Sequence, residues 1–217
     1  MANKPKTEGA ASEGKRGIRA YIVTCIGLSP LLMDPMSDET LLGLITGKSV
    51  PIQKDRKFID VAAEKIYRDP ADGKTIGIPG DNLFACLVEG GKQVQFKKQQ
   101  KVSNSDESLL PGLIDVVEQF LPLSNTDWIV DKRRGVLEAT GGAVGIIRPK
   151  FDVWGFSCTI VVYEDFVNIE KIREVFDMAG RFKGLGGFRK KGRFGRFKVV
   201  KWEEIAVPQK YQPAVAA

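Results

Sequence analysis

The chain has 217 residues and 43% hydrophobic content, which suits one domain with a substantial core. It contains no histidine, which excludes the commonest general base, the commonest metal ligand and every serine–histidine or cysteine–histidine nucleophile. Lysine and arginine outnumber the acidic residues by 33 to 27, giving a formal net charge of +6.

The sequence shows no apolar run long enough to span a bilayer and no secretory hydrophobic region. We therefore expect a soluble protein, cytoplasmic or nucleoid-associated, with no membrane partner. We also expect no cofactor. Cys25, Cys86 and Cys158 are isolated within apolar runs, which predicts buried thiols rather than a disulfide framework or a zinc site.

The first part of the chain predicts a polar arm, a strand and a short helix. Residues 1–17 are small, polar and basic, as expected of a disordered arm. Residues 18–28 are rich in alternating and β-branched side chains, which predicts a strand. Ser37 or Asp38 is expected to cap a helix over 39–45.

A second helix is predicted after Pro79, capped by Gly80 or Asp81 and ended by Gly90. Residues 60–67, which precede it, fit a helix or a strand equally well. The exposed N–H groups of a helix start beside Pro79 and Gly80 would form a phosphate site. An ordinary capped helix packed on a sheet is the alternative.

The rest of the chain predicts three strands and one helix. These elements are a strand over 113–123, a strand over 152–163, a helix over 169–179 capped by Asn168, and a closing strand over 194–203. Residues 96–106 are predicted to form a basic loop and 128–149 a long connection, and both are candidate contacts for a bound strand or a neighbouring subunit.

The order strand, helix, strand, strand, helix, strand predicts an α+β fold with a ferredoxin-like or RRM-like βαββαβ core. We expect one domain over 18–205, with long insertions near 29–77 and 124–150, and a tail over 206–217. The four-stranded sheet of this fold is a common platform for single-stranded nucleic acid.

The segment 184–197, GLGGFRKKGRFGRF, combines five glycines, three phenylalanines and five basic residues. Glycines let a loop expose concave rows of N–H groups that hold anions, the cations neutralise phosphates, and phenylalanine rings stack on bases. Residues 181–201 include nine basic and no acidic residues, so the rest of the chain has 24 basic and 27 acidic residues. This local excess predicts a polyanion site. A solvated basic hairpin with its phenylalanines in the core is the alternative.

Three segments in order resemble the RAMP superfamily, the RNA-binding subunits of CRISPR effector complexes, and are most similar to the repeating backbone subunits of type III complexes. They are Gly27–Leu32 (GLSPLL, similar to the family's TPL motif), Ile78–Leu83 (IPGDNL, similar to IPGSSL) and Gly184–Gly195, similar to the family's glycine-rich loop. The resemblance implies binding of guide RNA, assembly of copies along the strand, other effector-complex subunits as partners and a role in antiviral defence, in a host protein or a phage or mobile-element relative.

Two departures from the family pattern predict that the chain is not an enzyme. The place of the aspartate that cleaves target RNA in those subunits falls near Ala63 in this chain, with Glu64 beside it, and the histidine that the superfamily's processing nucleases often use is absent. Separately, Asp81 and Asn82 replace the paired serines, which predicts the loss of one phosphate contact.

We therefore expect non-catalytic binding of single-stranded nucleic acid, RNA more than DNA. The alternatives are a single-stranded DNA-binding or annealing protein and a metal-dependent nuclease using Asp34, Asp38, Asp60 and Glu64. The residues expected to contact nucleic acid are Gly80, Asn82, Lys97, Lys98, Lys101, Arg133, Arg134, Arg148, Lys183, Gly184, Gly186, Gly187, Phe188, Arg189, Lys190, Lys191, Arg193 and Arg196.

Overall fold

The computed structural model describes residues 17–48, 56–136, 141–189 and 193–212. Its α-helices are α1 (Asp38–Thr46), α2 (Phe58–Ala63), α3 (Gly80–Gly91) and α4 (Ile169–Met178). Its strands are β1 (Ile18–Gly27), β2 (Leu31–Leu32), β3 (Gly77–Pro79), β4 (Gln95–Lys97), β5 (Gln100–Lys101), β6 (Ile114–Val116), β7 (Phe120–Pro122), β8 (Ile129–Val136), β9 (Ala143–Phe151), β10 (Gly155–Tyr163) and β11 (Phe197–Ile205). None of the helices in these ranges is long and apolar enough to cross a membrane.

The central sheet has the strand order β11-β1-β10-β6, and every neighbouring pair is antiparallel. Along the chain the core runs β1, α3, β6, β10, α4, β11, so the strands lie side by side in the order fourth, first, third, second. This is the ferredoxin-like arrangement, and the α+β fold predicted from the sequence is confirmed.

The core lies between this sheet and the two helices α3 and α4. Alternate residues of β1, Val23 and Cys25, face the helices because successive side chains of a strand point to opposite sides. From the helices, Leu87 and Phe176 bury their side chains fully against the sheet. Burial of each such side chain contributes about 1.5–3 kcal/mol to folding.

The cysteines behave as the sequence predicts. Cys25, Cys86 and Cys158 are free and buried. Burial raises the pKa of the Cys86 thiol to about 12, so the thiol is neutral and chemically inert.

The segment predicted as a long connection over 128–149 is instead a β-hairpin, and that expectation is wrong. β8 and β9 pair antiparallel through Val136↔Ala143, and β2 adds to the other side of β9. The hairpin lies outside the ferredoxin-like core, so few of its residues are buried and its strands lack an apolar face. Residues 137–140 lie outside the described ranges.

Several local expectations change in detail. The ambiguous segment 60–67 contributes to the helix α2, and 113–123 forms two short strands, β6 and β7, of which β7 pairs with β3. Part of the predicted tail is ordered, because Gln209–Tyr211 forms a 3₁₀ turn whose Tyr211 hydroxyl donates to Asp115. The predicted disordered arm lies outside the described residues, apart from Gly17.

Candidate nucleic-acid interface

The glycine-rich loop is fixed to the segment that follows β1 by backbone hydrogen bonds. The N–H of Gly187 donates to Leu32 O at 2.7 Å, and the N–H of Gly195 donates to Pro30 O at 2.8 Å. The N–H of Leu28 donates to Arg196 O at 2.7 Å. Two of the three segments used for the family resemblance therefore lie in direct contact.

Glycine is required in this loop because the chain approaches itself closely. Gly184, Gly186 and Gly195 have positive φ angles of 71°, 74° and 68°. A Cβ at Gly186 would lie 2.2 Å from Leu32 O, and one at Gly195 would lie 1.8 Å from Leu185 O. The protein's own backbone contacts therefore account for these glycines, and their presence does not by itself indicate a ligand.

The expected row of free N–H groups is also largely used within the protein. The N–H of Gly184 donates to Ala179 O at 2.8 Å and that of Leu185 to Gly195 O at 2.9 Å, in addition to the bonds of Gly187 and Gly195. An anion at this loop would therefore be held chiefly by side chains.

Helix α3 supports the loop from below. The thiol of Cys86 donates to Gly184 O at 3.2 Å. Lys183, in a π-helical turn that precedes the loop, forms an ion pair with Glu89 at 2.7 Å. Hydrogen bonds from Lys183 and Lys92 hold the pKa of Glu89 at about 2, so the carboxylate neutralises charge that was expected to serve a phosphate.

The start of α3 corrects another expectation. The N-terminal cap is Pro79, and Asp81 lies inside the first turn instead of capping it. Gly80 is buried, and its N–H donates to Gln119 O at 2.7 Å, so it offers no free donor to a phosphate. Asn82 is half-buried and lies one turn before Cys86 on the same helix face, which points toward the loop.

The β8–β9 hairpin places its cations on two opposite faces. Asp131 pairs across the strands with Arg148, and Arg133 lies two residues further along β8, so these three share one face. Lys132 and Arg134 lie on the other face, where Lys132 sits 4.2 Å from the ring centroid of Phe58 in α2. The structure therefore separates Arg134 from Arg133 and Arg148.

Two arginine–phenylalanine pairs connect the hairpin to the glycine-rich loop. Arg148 Cζ lies 4.8 Å from the Phe188 ring centroid, and Arg133 Cζ lies 4.5 Å from that of Phe194. Such contacts contribute about 0.5–1 kcal/mol when exposed and about 2 kcal/mol when desolvated. The hairpin face and the loop are thus in contact, and we refer to this basic, phenylalanine-bearing junction as the cleft.

Arg148 is largely buried, with a side chain 12% exposed, whereas that of Arg133 is 38% exposed. Arg148 Nε donates to Asp34 Oδ2 at 2.8 Å, and Lys65 Nζ lies 2.9 Å from Asp34 Oδ1. Burial alone would raise the pKa of Asp34, but hydrogen bonds from Arg148 and Lys65 outweigh it and lower the pKa below its ordinary value. Asp34 therefore carries a negative charge that orients Arg148.

The remaining cations of the loop differ in exposure. Arg196 donates from Nη2 to Arg189 O at 3.2 Å, and its Nη1 is buried without a partner among the described residues. Arg193 is exposed. Lys190 and Lys191 lie outside the described residues. Lys97, Lys98 and Lys101 are exposed on the separate β4–β5 hairpin, which replaces the predicted loop.

The phenylalanines of the loop divide between core and cleft. Phe197 is buried and packs edge-to-face with Phe156 at 5.7 Å, so it belongs to the core. Phe188 is 38% exposed and has a φ of 54°, the one positive φ of a non-glycine residue in the described part of the chain. Phe182 was not predicted as a site residue, yet it is 60% exposed on the π-helical turn; it lies just N-terminal to the segment chosen for its glycines.

The carboxylates that the nuclease alternative would use are either in ion pairs or exposed, and they do not form a cluster. Asp34 is paired with Arg148 and Lys65, and Glu64 forms an ion pair with Arg56. Over the described ranges, no three cysteine, aspartate or glutamate side chains group closely enough to hold a metal ion. Asp38 and Asp60 are exposed.

The fold and the cleft together define a ferredoxin-like α+β protein with a basic, phenylalanine-bearing cleft beside its sheet. No protein-family model and no curated protein matches the sequence. Solved structures do match, among them a chain of the type III-B Cmr-beta complex, solved by cryo-EM bound to cognate target RNA, with 16% identity and a TM-score of 0.51. The match covers 87% of this chain and 61% of the other, so this chain spans less than two thirds of the structure it matches. At this identity, the likeness shows the fold alone.

Proposed function

We propose that this protein binds single-stranded RNA without cleaving it, as a RAMP-like subunit of a nucleoprotein assembly. The observation that carries the proposal is the cleft between the glycine-rich loop and one face of the β8–β9 hairpin, where Arg133, Arg148, Phe188 and Phe194 converge. Cations that neutralise phosphates beside rings that stack on bases are what a single strand requires. The fold shared with a chain of an RNA-bound complex supports the proposal.

The test is to purify the protein under mild salt and identify the nucleic acid that accompanies it by its sensitivity to RNase or DNase. Binding is then measured by fluorescence anisotropy on labelled single-stranded RNA, single-stranded DNA and duplex. We expect tighter binding to single-stranded RNA than to the other two. Tighter binding to single-stranded DNA would favour the annealing-protein alternative, and no binding to any of them would refute the proposal.

The absence of cleavage is part of the proposal and needs its own assay. Labelled RNA and DNA are incubated with magnesium or manganese, and we expect the strands to remain intact. Cleavage that is abolished in Asp60→Ala or Glu64→Ala would show instead that the protein is a nuclease.

We further propose that copies assemble along the strand. Helix α1 supports this because none of its residues is buried, and Leu41, Leu42, Leu44 and Ile45 expose a contiguous apolar surface. Light scattering on strands of increasing length is expected to show particles that grow with the strand. Particles that hold one protomer at every length would contradict assembly, while binding itself would stand.

A further inference from the structure

Only two of the three guanidinium nitrogens of Arg148 form hydrogen bonds within the described residues. Nε and Nη2 both contact Asp34 Oδ2, while Nη1 is buried and donates to no atom of the described residues. A buried, unpaired donor is costly, and in native proteins it often marks the place of a missing partner. The structure thus leaves Nη1 of Arg148 unsatisfied, as it does Nη1 of Arg196.

The charge around Arg148 is also unbalanced. Arg148 and Lys65 share the single carboxylate of Asp34, so this partly buried cluster has one positive charge in excess. The oxygens of Asp34 accept from Nε and Nη2 of Arg148 and from Lys65, and neither accepts from Nη1. An anionic oxygen is the group that would balance the charge and accept from Nη1 together.

Phe188 packs its ring on the guanidinium of Arg148. Its ring covers the guanidinium at 4.8 Å, and its backbone holds a φ of 54°, a conformation that side-chain-bearing residues rarely adopt. The adjacent Gly187 has room, because a Cβ there would meet nothing closer than 3.6 Å. Phe188 therefore rests on Arg148 in an unfavourable backbone conformation, and the neighbouring Gly187, whose N–H donates to Leu32 O, leaves open space at its Cβ position.

We propose that Phe188 is a displaceable cover over Arg148 and that a phosphodiester group of the bound strand takes its place. This inference rests on the proposed function. A phosphate oxygen accepts from Nη1 and offsets the excess charge, while the released ring stacks on the base of a neighbouring nucleotide. Phosphate binding and base stacking are thereby coupled through one residue.

The experiment compares an oligonucleotide with an abasic sugar–phosphate strand of the same length. Removing the cover with Phe188→Ala is expected to tighten binding of the abasic strand about two- to fivefold, because the ring no longer competes for the guanidinium. The same change is expected to weaken binding of the base-bearing strand by about fivefold or more, because no ring remains there to stack on a base. Phe166→Ala, which removes a ring 69% exposed at the far end of α4, is the matched control and should change neither affinity.

The double variant Phe188→Ala, Arg148→Lys distinguishes competition of the Phe188 ring for the guanidinium from a general change of structure. Lysine keeps the positive charge but has no Nη1, so the gain on the abasic strand should disappear. Far-UV circular dichroism and thermal melting establish that each variant is folded. Unchanged or weaker abasic binding by folded Phe188→Ala, or a gain that persists in the double variant, would overturn the inference alone. Wild-type protein that binds neither strand would overturn both this inference and the proposed function.

Discussion

Two neighbouring arginines on β8 allow a test of the cleft in which charge and position on the chain are held nearly constant. Arg133 faces the glycine-rich loop, and Arg134 lies on the opposite face of the same strand. Each is replaced by alanine in turn, so both variants lose one positive charge. Arg133→Ala is expected to weaken binding of a single strand much more than Arg134→Ala does.

The structure sets the expected magnitudes. Arg133 donates to Asp131 at 2.6 and 2.9 Å, but its side chain is 38% exposed, so removing this ion pair should cost only about 0–1 kcal/mol of stability. A hydrogen bond to a charged phosphate contributes about 1.5–3 kcal/mol, which corresponds to about a tenfold or greater decrease in affinity. The slope of log K against log salt should fall by about 0.7, because one phosphate of the strand is no longer neutralised.

The assay is fluorescence anisotropy with one labelled single strand at a series of salt concentrations. Arg134→Ala is expected to keep the slope of the wild type and to reduce affinity only slightly, through the change in net charge alone. Equal decreases of affinity and slope in the two variants would refute the reasoning. They would show that binding depends only on net charge and that the two faces of β8 contribute equally.

Three further predictions concern stability and the loop itself. Phe197→Ala should lower the free energy of unfolding by about 3–5 kcal/mol in urea denaturation, whereas Phe182→Ala on the surface should leave it nearly unchanged. Gly195→Val should destabilise the fold and abolish binding, because its side chain would clash with Leu185 O. Gly187→Ala should be tolerated, because a Cβ there makes no close contact. Equal thermal midpoints for the two variants would contradict the requirement for glycine at 195. Glu89 has a pKa lowered to about 2, so its contribution to stability is present above the ordinary carboxyl pKa of about 4.3 and is lost as pH falls toward 2. Glu89→Gln should therefore make the thermal midpoint less dependent on pH in this acid range, as measured by thermal melts at a series of pH values. An unchanged pH dependence would show that the ion pair with Lys183 is not formed.

The elements that could be predicted from the sequence are those whose signals are local. Ser37 accepts from the N–H of Thr40 at 3.2 Å and Asn168 from that of Glu170 at 2.9 Å, so both predicted caps are present at the helix starts. The alternation of β1 and the apolar stripe of α4 likewise depend only on spacing along the chain. Together these local signals were sufficient for the ferredoxin-like order.

The roles that could not be predicted depend on contacts between distant segments. Gly80 is a glycine because a Cβ would lie 2.3 Å from Glu118 O, a neighbour almost forty positions away in sequence that no local pattern indicates. Arg133 and Arg134 are chemically identical, and only the register of β8 on β9 assigns them to different faces. The composition of the loop therefore indicated a candidate site, while the geometry of that candidate had to come from the structure.

The hydrogen bonds between the loop and the segment after β1 have a consequence for synthesis of the protein. Arg196 N donates to Ser29 Oγ across 167 positions of sequence, and β1 completes its pairing only with β10 and β11. Contacts between such distant segments form slowly, because closing a large loop costs conformational entropy before the contacts can stabilise the fold. A nascent chain whose β11 is still inside the ribosomal tunnel therefore has no assembled cleft. The cleft forms only after β11 has emerged and paired with β1.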